Sequence, residues 1–417
     1  MADVNPELSV ALGVLLGCVF LLLCGISYKK FKSLIAPGVV VPFVWGSLLL
    51  LYNLLDTPLY RLSNSLYFLV TLWVVSFTFS ANFFSCIKLN KSFYKYRDVN
   101  RSVLSLYLII VLICTPLIIL RMIKMGGSDI NMFFIRLRLA QAGMIDEVNY
   151  GILRYPMTLA VVVFLIELYR NKTSKGRIGL LLILNVLFIF AVMAKTQFFW
   201  VVFPSVAILY FASRLSKKYI YWICSICLIL FTAIQIVRGG ENSDGLSVGD
   251  AFMQIYVLGG MPALDQIIDS GEHSTSFGYY TLSFFRKILG FVDSKESNIL
   301  ITIFNEGRPG YAYVPVPTNV YTAIFSSYLD FGYIGASIFA IIYGMFAGIL
   351  YKLAKREVIW AIIGYGYIFA TLVFQFYSDA IFVMFSQFIQ FCLFPFIACY
   401  FSYQLSIGKF SLKKWSP

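Results

Sequence analysis

The sequence predicts an all-α polytopic membrane protein with about eleven transmembrane helices and a long outer loop that contains short helices. Three observations lead there. Hydrophobic residues make up 60% of the 417 positions and charged residues only 13%, whereas soluble domains run near half apolar and about a quarter charged. The apolar residues come in blocks of roughly 17–25, the length that crosses a bilayer as helix. Charge also alternates between the blocks, with 21 of the 33 Lys and Arg falling in every second connection. A soluble enzyme, a disordered chain and a secreted disulfide scaffold are excluded together. The net charge of +13 follows from basic cytoplasmic loops, so no nucleic-acid partner is expected.

The spans follow in order, and residues 1–417 read as one integral membrane domain. The first, 8–27, has an acidic start (Asp3, Glu7) and is followed by Lys29, Lys30 and Lys32, which places its end in the cytoplasm and argues against a cleavable signal. Spans 34–54 and 65–87 return the chain to the basic stretch Lys88 to Arg101. Span 103–121 leads out to a first long loop, 122–154. There Phe133, Phe134, Leu137, Ala140 and Met144 recur at helical spacing, which predicts a short amphipathic helix on the outer membrane surface, capped by Ser128 or Asp129. Spans 155–169, 178–194, 197–213 and 219–237 alternate across the basic turns Arg170 to Arg177 and Arg214 to Lys218. The second long loop, 238–332, is the longest hydrophilic stretch, and loops of that size are usually functional. Spans 333–351, 358–377 and 381–403 flank Lys352 to Arg356 and end in a basic tail. Only Asp98 and Glu357 among the acids fall in the cytoplasmic loops, so the N-terminus is placed outside and the C-terminus inside.

All eight cysteines lie in or at the ends of apolar blocks, and Cys224 and Cys227 read as packing despite their CxxC spacing. Glu167, the acid within a span, reads as a local pair with Arg170. The remaining ionisable groups concentrate in the outer loops, which locates the chemistry at the outer face. Arg136, Arg138, Arg154, Arg238, Arg286 and Arg308 lie there against the positive-inside bias. Either they balance outer acids such as Asp265 and Asp269, or their guanidinium forks bind phosphate, for which a lipid-linked pyrophosphate is the natural ligand. The loop tyrosines, Tyr279, Tyr280, Tyr311, Tyr313 and Tyr321, suit either a glycan groove or a membrane interface. His273, the one histidine, is either incidental or an acid–base group. No phosphate-binding loop, HExxH or Cys/His metal spacing occurs, and the first outer loop has no Asp-x-Asp pair, so neither a metal nor another cofactor is expected.

Three segments are more specific. Tyr256-Val-Leu-Gly-Gly-Met-Pro-Ala-Leu-Asp265, then Pro317-Thr-Asn-Val-Tyr-Thr322, then Tyr328-Leu-Asp-Phe-Gly-Tyr-Ile-Gly335 resemble the Wzy family, the O-antigen type polymerases of oligosaccharide repeat units. The resemblance implies a GT-C-like membrane glycosyltransferase architecture in a bacterial inner membrane, with the active site facing the periplasm. It implies transfer of a growing glycan from undecaprenyl pyrophosphate to the non-reducing end of an incoming undecaprenyl-pyrophosphate-linked repeat unit, without nucleotide sugar, metal or ATP. A Wzz-type chain-length regulator is a partner implied by resemblance alone, beside the phospholipid bilayer. The Arg-x10-Gly spacing described for the family fits Arg238 and Gly249, a spacing close to chance, and none of Arg136, Arg138 and Arg154 matches it.

On this reading Arg238, with Arg136 or Arg138, stabilises the departing pyrophosphate, and Arg154, Arg286 and Arg308 bind substrate. His273, Glu306, Asp330 and Glu241 are candidate bases. Asn319 and Tyr321 either line the site or pack a re-entrant turn, and Gly332 and Gly335 permit a tight loop-to-helix turn. Two alternatives remain. An O-antigen ligase, passing glycan to lipid A core, should carry a histidine late in the long loop, where this chain has Asn319. A flippase for lipid-linked oligosaccharide would need a polar path through the membrane.

Overall fold

The computed structural model describes residues 6–90, 96–129, 132–141, 150–170, 174–193, 195–216, 218, 221, 225, 252–271, 273–274, 277–290, 312–315, 317–318 and 320–413. Its elements are α1 (Pro6–Phe31), α2 (Pro37–Leu54), α3 (Asn64–Cys86), α4 (Arg101–Gly126), α5 (Phe133–Gln141), α6 (Arg154–Arg170), α7 (Lys175–Val192) and α8 (Lys195–Phe211). A π-helical turn (Phe252–Leu258) leads to α9 (Gly260–Ser270) and α10 (Ser283–Ile288). A two-stranded hairpin, β1 (Ala312–Tyr313) and β2 (Pro317–Thr318), precedes α11 (Phe325–Ala354), α12 (Ile359–Val373) and α13 (Phe385–Lys413). The protein is all-α and polytopic. Among the described residues eight helices are long and apolar enough to cross a membrane, and α8 and α12 hold two shorter apolar helices, Gln197–Phe211 and Ile359–Val373. These ten overlap ten of the expected spans; the remaining one, 219–237, lies outside the described residues apart from two isolated positions.

Helix starts follow local chemistry. Ser63 caps α3 by accepting from the Leu66 amide at 3.2 Å, and Asn100 caps α4 through the Ser102 amide at 2.9 Å. Pro37 opens α2, where the missing N–H costs no helical bond. Outward apolar side chains on α1 (Leu15, Leu22, Ile26) and α4 (Ile113, Leu120) are exposed, as lipid-facing helices require.

The chain divides into two compact units. The first comprises 1–87, 242–352 and 371–386; the second comprises 88–241, 353–370 and 387–417. In the first unit Trp45, Trp73, Phe77 and Tyr343 are fully buried. α11 approaches α3 closely through Gly344 and Gly348. A Cβ at either position would sit 2.6 Å from the carbonyl oxygen of Phe77 or of Ala81, respectively. Small residues four apart allow this backbone proximity between apolar helices.

In the second unit α5 occupies the expected amphipathic stretch, but its apolar side meets protein. Leu137 and Ala140 are buried, and the Phe133 ring lies over Gly126 of α4. The helix begins beyond the expected caps, with the Met132 carbonyl accepting from the Arg136 amide at 2.8 Å. A second correction concerns Glu167, which bonds Arg177 at 3.0 Å. The first turn of α7 thus lies beside the last turn of α6, while Arg170 lines a cavity instead. The third concerns 358–377, read as one continuous span. α12 stops at Val373, and 374–384 is irregular before α13 starts at Phe385.

Candidate functional site

The irregular segment 374–384 carries two buried polar side chains, Gln375 and Asp379. Backbone without helical partners must find others when buried. Here the Gln375 carbonyl accepts from the Ala323 amide at 2.7 Å. The Gln375 side-chain Oε1 accepts from two indoles, Trp45 Nε1 at 2.8 Å and Trp73 Nε1 at 3.1 Å. Asp379 receives the Ser326 hydroxyl and the amides of Ile381 at 3.2 Å and Phe382 at 3.0 Å. Burial pushes the Asp379 carboxyl up to about 6, against the opposing effect of these bonds.

Two of the three stretches whose sequence stood out meet at this segment. Gly260, at the start of α9, runs against it, since a Cβ there would lie 2.7 Å from the Phe376 carbonyl oxygen and 3.4 Å from Val320. Only glycine allows that approach. Tyr256 stacks on Tyr377 with ring centroids 6.3 Å apart. Thr318 donates to the Ile255 carbonyl at 3.0 Å, tying the hairpin to the π-helical turn. Thr322 and Ser326 are buried at the entry to α11. Residues 256–265 and 317–322 thus meet at this segment, and 328–335 continues α11 beyond Ser326, which bonds Asp379.

Asp265 fastens α9 to the start of α3. Its carboxylate accepts the Ser63 amide at 2.6 Å and the Ser63 hydroxyl, while the same hydroxyl oxygen caps α3. Burial raises its pKa to about 6, with the Ser63 bonds pulling the other way and Asp269 adding a smaller rise. The partner that Asp265 finds is a serine and a helix N-terminus, where negative charge is favoured. The sequence reading of this acid as a counter-charge for an outer arginine is corrected on that ground.

Among the described residues, four of the expected site residues lie in this unit. His273 is exposed; its ring lies 5.5 Å from the Tyr328 ring, and its Cε1 would be 3.8 Å from a Cβ at Gly332. The Ser274 amide donates to the Leu329 carbonyl at 2.8 Å, which holds this strand of chain against α11. Asp330 accepts from the Tyr280 amide, the Thr281 amide at 2.7 Å and the Thr281 hydroxyl at 2.6 Å. Those bonds make its carboxylate a clamp on the 278–282 turn. Arg286 donates to the Phe277 carbonyl at 2.9 Å and stands 5.9 Å above the Tyr279 ring. Tyr321 is buried and stacked on Phe325 at 4.6 Å; burial raises its hydroxyl pKa. Gly332 adopts φ 63° and ψ −153°, a conformation essentially reserved for glycine, and breaks α11 there, in keeping with the expected loop-to-helix turn.

Arg136 on α5 and Arg154 at the start of α6 are exposed and belong to the second unit. Arg138 lies on α5 with its side chain outside the described residues. Arg238, Glu241, Glu306, Arg308 and Asn319 lie outside the described residues altogether. No group of three His, Cys, Asp or Glu side chains among the described residues is arranged to hold a metal.

Sequence reasoning passed over Gln375 and Asp379. A signal was present, because Asp379 is the one acid in the sixty residues after Glu357. Half-buried Tyr279, Tyr280 and Phe331 lie near an exposed imidazole, His273, with half-buried Asp330 bonded to the Tyr280 and Thr281 amides. Such a surface can stack sugar rings and accept a proton from a hydroxyl. No family model, curated protein or solved structure matches this chain.

Proposed function

We propose that this protein polymerises lipid-linked oligosaccharide repeat units at the periplasmic face of a bacterial inner membrane. The observation that carries this reading is the meeting of 256–265 and 317–322 at the irregular segment 374–384, with the start of α11 tied to the same segment through Ser326 and Asp379. In the reaction the bond from the donor anomeric carbon to the pyrophosphate oxygen breaks. A glycosidic bond forms to a hydroxyl of the acceptor repeat unit, and the hydroxyl proton leaves to a base. His273, exposed beside Tyr328, is the base we assign. Asp330 and Arg286 act as positioning residues through the 277–282 turn.

The irregular segment also favours a second reading. Interrupted helices with buried polar residues are used by transporters to pass polar cargo, so a flippase for the same lipid-linked glycan is the competitor. Purified protein in liposomes, given undecaprenyl-pyrophosphate-linked repeat units and no energy source, separates the two. A ladder of longer glycans supports the polymerase. Unchanged length with lipid moved between leaflets replaces it with the flippase.

A further inference from the structure

The second unit contains a cavity of about 780 Å³ that the polymerase reading does not use. Its wall is built from the start of α4, the end of α6, the residues just after α8, the turn before α12 and one residue of α13. Arg97, Arg101, Arg170 and Arg214 line it, opposed by Asp98 and Glu357. That leaves an excess of two positive charges in one concave space. No ion pair among the described residues joins these guanidiniums to either acid, and Asp98 is bonded to the Val99 amide at 2.8 Å. The charges of Arg97, Arg214 and Glu357 all act on the Tyr169 hydroxyl, which gathers them about one point. Arg214 has a second duty: it donates to the Leu168 carbonyl at 3.1 Å and the Tyr169 carbonyl at 2.9 Å, closing the end of α6.

The depth of the cavity in the bundle is informative. The apolar span of α4 begins at Arg101, and that of α6 ends at Arg170. Both residues line the cavity, so it lies where apolar helix gives way to polar chain, the level of a phospholipid headgroup. Guanidinium forks converging there match phosphate oxygens in shape and charge.

We propose that this cavity is a binding site for an anionic phosphate group, filled by the headgroup of an anionic phospholipid. It lies at the end of the second unit that loop charge assigns to the cytoplasm. Its occupant would anchor the helix ends of the second unit, and the proposal stands whether or not the protein is a polymerase.

The test titrates the full chain in non-ionic detergent with short-chain phosphatidylglycerol, with phosphatidylcholine of the same chain length for comparison and inorganic pyrophosphate as the free anion. Three proteins are compared: wild type, Arg97→Gln/Arg101→Gln/Arg170→Gln, and Lys29→Gln/Lys30→Gln/Lys32→Gln, which removes equal charge outside the cavity. We expect phosphatidylglycerol to bind at least tenfold tighter than phosphatidylcholine. The cavity variant should lose that tenfold preference, and the lysine variant should stay within twofold of wild type. Glu357→Gln, which removes an opposing charge, should tighten binding. Pyrophosphate binding that weakens only in the cavity variant would keep the site and assign it to a soluble phosphate. Equal losses in both triple variants, or no preference in wild type, would overturn the proposal. Should the cavity variant aggregate, Glu357→Gln decides: unchanged or weaker binding overturns it.

Discussion

Replacing Asp265 by Asn should remove a measurable part of the protein's response to acid. Asp265 sits 6% exposed beneath α9, with a pKa raised from 3.8 to about 6. A carboxyl whose pKa is higher folded than unfolded holds more protons in the folded state between those values. Stability therefore rises as pH falls through 6, and the gain is complete below 3.8. The gap of about two pH units corresponds to about 3 kcal/mol, of which roughly half appears between pH 8 and pH 5. Asp379, also raised to about 6, contributes in the same direction. Asn keeps the geometry, because its oxygen can accept the Ser63 amide and its NH2 can donate to the Ser63 hydroxyl. Detergent-purified protein would be unfolded thermally at pH 5, 6, 7 and 8, with wild type, Asp265→Asn and Asp265→Asn/Asp379→Asn in parallel. The advantage that acid gives wild type over each variant should grow in steps, roughly half for the single and the whole for the double. A single variant that gains as much as wild type on acidification would refute the argument that burial governs this carboxyl.

Gln375→Leu should destabilise by about 2–6 kcal/mol, since it leaves two buried indole N–H groups without their acceptor at about 1–3 kcal/mol each; a thermal scan against Trp45→Phe, which removes one donor, checks it. Arg177→Ala should cost about 3 kcal/mol, the low end for breaking a buried pair, because Arg177 is itself 25% exposed; restoration by Glu167→Gln in the same chain would show that the charge is the cause. Gly332→Ala should cost about 1–3 kcal/mol, set by the strain of φ 63°, and lower the yield of folded protein on size exclusion. In a chain freed of its own cysteines, Ser128→Cys should label with an impermeant thiol reagent in intact spheroplasts and Ser174→Cys should not; the reverse pattern would invert the topology.

The spans were legible because their signal is cumulative, with twenty apolar residues and a basic flank outweighing any single exception. That logic fails where one residue overrides its neighbours. Phe374 to Tyr377 reads as apolar helix by composition, yet Gln375 answers two indoles on α2 and α3, some 300 residues away, and the helix stops. Glu167 had Arg170 within its own helix, yet its partner lies on α7, because residue spacing along one helix says nothing about the neighbour. At the candidate site the three motif stretches were visible one by one. The meeting point of two of them was not, since Gly260 and Phe376 are joined by the fold alone. Asp330 looked like a free carboxyl, and only tertiary structure reveals the Thr281 hydroxyl that occupies it.

The shared amide of Gln375 makes the protein its own optical instrument. Two of its six tryptophans, Trp45 and Trp73, end on that single oxygen. An indole that exchanges this acceptor for water or for nothing changes its emission maximum and quantum yield. A displacement of 374–384 by a bound glycan or lipid would therefore register at both indoles at once, without a label. Trp45→Phe and Trp73→Phe would divide the signal between two helices, turning a buried hydrogen bond into a position sensor for the segment on which the proposed chemistry rests.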